Sequence, residues 1–89
     1  MTTKSINQYR IEFHEDACKR IDPFEFAWLL SKHDMDVVAK NERPMLFVRC
    51  TEFDVTTFMI DVNHQFGPLV FKQVDVCVPN EGYVDTFLV

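Results

Sequence analysis

Residues 51–68 read Thr51-Glu52-Phe53-Asp54-Val55-Thr56-Thr57-Phe58-Met59-Ile60-Asp61-Val62-Asn63-His64-Gln65-Phe66-Gly67-Pro68. Val55, Phe58, Met59, Val62 and Phe66 recur at helical spacing, so one apolar stripe runs the length of the stretch and predicts an amphipathic helix. Thr51 is a favourable N-cap, with Asp54 three residues on. Gly67 is expected to supply a left-handed residue just past the helix, and Pro68 stops it. This helix is the anchor from which the neighbouring segments can be placed.

Upstream, Val37–Ala39 and Met45–Cys50 are short β-branched or apolar runs on either side of the polar turn Lys40-Asn41-Glu42-Arg43-Pro44, a hairpin signature. Downstream, Leu69–Val78 reads as a long strand, Pro79-Asn80-Glu81-Gly82 as a turn, and Tyr83–Leu88 as a closing strand. At the other end, Tyr9, Ile11 and Phe13 alternate with Arg10, Glu12 and His14, the two-residue period of a half-buried strand. The charged stretch 15–21 is a loop or short helical turn. A first full helix then starts at Asp22 as N-cap, with Pro23 at the first helical position and Glu25 placed for a capping box, and runs to about His33.

The order is β-α-β-β-α-β with an extra C-terminal strand. It resembles the ferredoxin-like split βαβ arrangement, an α+β fold. That resemblance implies an antiparallel sheet with helices on one face. It implies no function, because this topology serves many. With 89 residues beginning at Met1, the chain is read as one domain spanning 1–89.

Composition narrows the functional classes. Nine basic against fourteen acidic residues give a net charge of −5, scattered without a basic patch, so nucleic acid is an unlikely partner. An acidic mimic of nucleic acid is compatible with that charge but requires the acids to line one face. The chain has only two glycines, which argues against a glycine-cradled phosphate site. Cys18, Cys50 and Cys77 match neither a disulfide framework nor a zinc spacing, and are expected to be reduced thiols in a cytoplasmic protein. The N-terminus lacks the apolar stretch of a signal peptide, and the longest apolar run, Phe26–Leu30, is too short to cross a membrane.

No residue pattern calls for catalysis. Ser5 and Ser31 lie in no nucleophile turn, and His14, His33 and His64 are read as surface residues, His33 favourably near a helix C-terminus. His14 and Cys18 have a ligand-like spacing, but no second pair completes a metal site. No cofactor is expected. The ferredoxin-like order invites a test against the RNA-recognition motif, whose third strand carries a glycine- and aromatic-rich signature. In Arg43-Pro44-Met45-Leu46-Phe47-Val48-Arg49-Cys50, only Arg43, Phe47 and Val48 fit. A small-ligand regulatory role, as in other members of that fold, is disfavoured because the loop His14–Ile21 has no glycine.

The first helix carries the stronger signal. Phe24 and Trp28 lie within about 40° of each other on a helical wheel, while Phe26 and Leu30 point elsewhere, so one sheet cannot bury all of them. Phe24, Phe26 and Trp28 are therefore candidate anchors for a protein partner, which includes a second copy forming a homodimer. If Leu46, Val48 and Cys50 face the helices, Met45 and Phe47 form a second candidate patch on the other side of the sheet. The same alternation groups Phe71 with Gln73, Asp75 and Cys77. The expected function is thus a non-catalytic protein-binding module, similar in style to small accessory or inhibitor proteins made by viruses of bacteria.

Overall fold

The computed structural model describes residues 5–39 and 45–86. Its elements run β1 (Ile6–Phe13), α1 (Glu15–Arg20), α2 (Pro23–Lys32), β2 (Asp36–Ala39), β3 (Met45–Thr51), α3 (Glu52–Phe66), β4 (Phe71–Val78) and β5 (Gly82–Asp85). The strands form one antiparallel sheet in the order β2-β3-β1-β4-β5, with β1 in the middle. The fold is α+β, with five strands and three helices among the described residues. The turn at Lys40–Pro44 and the end of the expected closing strand at Phe87–Leu88 lie outside those residues.

The helix at 52–66 starts as its sequence requires. Asp54 N–H donates to the Thr51 hydroxyl at 3.1 Å, and Thr51 N–H donates back to the Asp54 carboxylate at 3.3 Å. Val55, Phe58, Met59 and Val62 are buried against the sheet. The helix end differs from expectation. Gly67 has φ 98° and ψ 170°, a positive φ with an extended ψ, and not a left-handed helical residue. The left-handed position occurs instead after α2, at Asp34 (φ 54°). There Asp34 N–H donates to Ser31 and Met35 N–H donates to Leu30, and the buried Met35 closes a Schellman-type end.

The start of α2 also departs in one detail. Asp22 caps the Phe24 N–H at 3.0 Å, but Glu25 completes no capping box; its carboxylate accepts from the Gln65 side chain of α3 at 3.2 Å. The 15–21 stretch is largely a short helix, with Ala17 buried beneath it. α2 and α3 lie antiparallel, because Glu25 meets Gln65 at one end while Lys32 and His33 meet Asp61 at the other.

The core lies between these helices and the sheet. Phe58 is its aromatic hub, with ring centroids 5.6 Å from Phe26 and 6.1 Å from Phe71, while Phe13 contacts both Phe26 and Phe71. Phe71 corrects the simple alternation. The β1–β4 register shifts between Glu12 and Phe13, so Phe71 pairs with Phe13 and Gln73 with Glu12. Lys72 absorbs the extra position, and Phe71 turns into the core while Gln73, Asp75 and Cys77 keep the outer face.

Candidate functional site

Three places bring chemistry-bearing side chains together: the open face of the sheet, the seam between α2 and α3, and the outer face of the helix layer. The open face is centred on Asp75, the one buried charged residue among those described. Arg10 of β1 donates from Nη2 and Nε to the same Asp75 oxygen at 2.7 and 3.1 Å, and Gln73 donates to the other oxygen at 2.8 Å. Burial alone would push the Asp75 pKa up. The hydrogen bonds from Arg10 and Gln73 and the Arg10 charge together outweigh it and hold the carboxyl below its ordinary value.

Tyr83 of β5 lies against this pair, its ring centroid 4.7 Å from the Arg10 guanidinium and its hydroxyl accepting from Gln8 at 2.7 Å. The Phe47 ring meets Tyr83 edge-on at 5.8 Å. Phe47 and Met45 do face away from the helices, and both are half-buried. The middle of this face is thus an internally satisfied network with Phe47 folded into it.

At the helix seam, His33 Nε2 lies 2.8 Å from Asp61 Oδ2, and His33 Nδ1 lies 3.2 Å from Thr57 Oγ1. Lys32 adds a second bond to Asp61 at 2.9 Å. Asp61 is held below its ordinary pKa first by the Lys32 hydrogen bond, then by that of His33. Hydroxyl, imidazole and carboxylate follow the order of a hydrolytic triad. The Thr57 oxygen, however, lies 3.0 and 3.1 Å from the Phe53 and Asp54 carbonyls of its own helix, mid-way along α3. Two clefts of about 390 and 320 Å³ lie elsewhere, around His14, lined by Arg20, Pro68 and Leu69 in one case and by Glu12, Glu15 and Lys72 in the other. The seam joins two helices, and neither cleft is lined by Thr57, His33 or Asp61. His33 was expected to face the helix dipole from the surface. It does stand at the C-terminal end of α2, as its C-cap, but it is largely covered and bridges to α3, a role that only the helix pairing reveals.

No group of three or more His, Cys, Asp or Glu side chains able to hold a metal occurs among the described residues, and no described helix is long and apolar enough to cross a membrane. No disulfide links the cysteines. Burial, with the nearby Asp54 charge, pushes the Cys50 thiol up to about 12, where it is a poor nucleophile.

The outer helix face is where the apolar surplus of α2 emerges. Phe24 is 85% exposed and Trp28 61% exposed, and Ile60 of the adjacent α3 is 63% exposed. Lys32 places its ammonium 5.4 Å from the Trp28 ring centroid. Phe26 does not belong to this group. Its ring packs between Phe13 and Phe58, while Leu29 is fully buried and Leu30 packs on the core. Of the five candidate partner residues, the structure therefore brings Phe24 and Trp28 together on one open surface. It assigns Phe26 to the core and leaves Met45 and Phe47 half-covered on the opposite side of the sheet.

No family model, curated protein or solved structure matches this chain.

Proposed function

We propose that this protein is a non-catalytic protein-binding module that works through the outer face of α2. The observation that carries this reading is the pair Phe24 and Trp28, one helical turn apart and both mostly exposed on a helix whose opposite side is packed into the core. Large exposed aromatics at adjacent positions are costly to leave in water and are favoured anchors of interfaces.

The open sheet face is the weaker candidate. Its aromatic and charged groups already satisfy one another, as the Arg10–Asp75 pair and the Phe47–Tyr83 contact illustrate. Its charges are mixed in sign, which suits neither a nucleic-acid backbone nor a nucleic-acid mimic. We also read the sheet as ferredoxin-like, a view supported by the antiparallel order β2-β3-β1-β4 with β5 appended beside β4.

The reading is tested by placing a photo-crosslinking residue at position 28 and, separately, at position 49 on the open sheet face, in cells that make the full chain. Protein adducts should form from position 28 and not from position 49. Adducts from position 49 alone, or from neither, would remove the reading.

A further inference from the structure

We infer that β5 is a strap that opens from the edge of the sheet as one unit while the rest of the fold stays closed, with Tyr83 as its latch. The first support is how little of β5 is tied to the core. None of its four residues is buried, and neither Tyr83 nor Val84 is among the side chains that form the core or pack on it. The opposite edge differs. β2 is equally short, but its Val37 packs on the core and the preceding Met35 is buried. Buried apolar surface is what makes a strand part of the cooperative unit. A segment held mainly by hydrogen bonds at the surface opens at lower cost than the whole domain unfolds.

The second support is how β5 is held. It pairs with β4 alone, from Val78 opposite Gly82 to Asp75 opposite Asp85. At one end is a tight turn, where Glu81 N–H donates to the Val78 carbonyl at 3.0 Å and Asn80 and Gly82 both have positive φ. At the other end Thr86 donates to the Val74 carbonyl from its N–H at 3.1 Å and from its hydroxyl at 2.8 Å. Between these ends, Tyr83 reaches past β4 to two strands that β5 does not pair with. Its hydroxyl accepts from Gln8 of β1, its ring lies against the Arg10 guanidinium of β1, and Phe47 of β3 meets that ring edge-on. All three contacts exist only while β5 lies on the sheet, so they add directly to its closing equilibrium.

Opening has a defined consequence. It uncovers Arg10 and Phe47, and it frees the β4 backbone groups that β5 had paired, an edge that sheets otherwise keep covered. The strap therefore governs access to the open face of the sheet, independently of the α2 surface.

Native-state hydrogen exchange on the full chain, read amide by amide by NMR at urea concentrations below the unfolding transition, tests the inference. The hydrogen-bonded amides of β5 and the Thr86 N–H should share one opening constant. It should exceed that of the amides joining β1 to β3 by about 100-fold or more, and depend less on urea. Tyr83→Phe keeps the ring and removes the hydroxyl that Gln8 engages, and should raise the shared constant about 3–10-fold. Ile11→Val, at a fully buried position of β1, should speed the β1–β3 amides about 3–10-fold and leave the strap unchanged. Exchange of β5 with the same constant and urea dependence as β1–β3 overturns the inference. So does fraying amide by amide with no shared constant, or a strap that ignores Tyr83→Phe or responds to Ile11→Val.

Discussion

Arg10→Met isolates the polar network of the sheet and shows whether it holds the fold together. The substitution keeps much of the Arg10 stem but leaves the Asp75 carboxylate, only 4% exposed, without its charged donor. Removing one partner of a buried pair costs about 3–5 kcal/mol. The Arg10 side chain is itself 34% exposed and Gln73 still donates to Asp75, so the expected loss is nearer about 2–3 kcal/mol. For a domain whose net stability is on the order of 4–13 kcal/mol, that corresponds to a melting point roughly 10–20 °C lower.

The pH dependence carries the sign. In the wild type the Asp75 pKa is depressed, so its contribution is present above the unfolded value of about 3.9 and is lost as pH falls through the folded value. In the variant, burial is opposed only by Gln73, and the carboxyl is easier to protonate. The gap between the two proteins should therefore be widest near neutral pH and shrink below about pH 4. Urea unfolding followed by far-UV circular dichroism at pH 7 and pH 3 reads both quantities. A gap below about 0.5 kcal/mol at pH 7, or the same gap at both pH values, would refute the assignment of Arg10 as the group that holds Asp75 ionised.

Phe58→Ala should cost about 3–5 kcal/mol, a large share of the net stability, because Phe58 is fully buried among Phe26, Phe71 and His33; Phe24→Ala, at an exposed site, should change stability by about 0.5 kcal/mol or less in the same denaturant titration. Gly67→Ala should cost about 1–3 kcal/mol through backbone strain alone, since its φ of 98° disfavours a side chain while a Cβ there would meet nothing within 4 Å. Thiol-labelling kinetics on the native protein at pH 8 should leave Cys50 unmodified until the chain unfolds; prompt labelling would contradict its burial and its raised pKa.

Much of the fold was legible because local signals agreed with tertiary packing. The Val55–Phe58–Met59–Val62 stripe and the Thr51–Asp54 box both lie within a few residues of the structure they dictate. Phe71 was not legible, since one bulge between Glu12 and Phe13 reverses its side, and alternation carries no mark of a bulge. The burial of Asp75 was hidden for a related reason: its donor Arg10 lies on a strand 65 residues away in the chain. At the candidate site, the surplus of apolar residues on α2 could be read directly. Which of them emerge could not, because a helix apolar on nearly every side has no preferred face until α3 and the sheet choose one. That choice put Phe26 inward with Leu29 and turned Phe24 and Trp28 outward.

The most direct measurement uses Trp28 as its own reporter, since it is the only tryptophan in the chain. Emission and acrylamide quenching of the native protein should be followed over a dilution series alongside its molar mass. If the outer face of α2 is left open for a partner, Trp28 should emit as a water-exposed indole and be quenched efficiently wherever the mass is that of one chain. Blue-shifted emission protected from acrylamide in that single chain would contradict it.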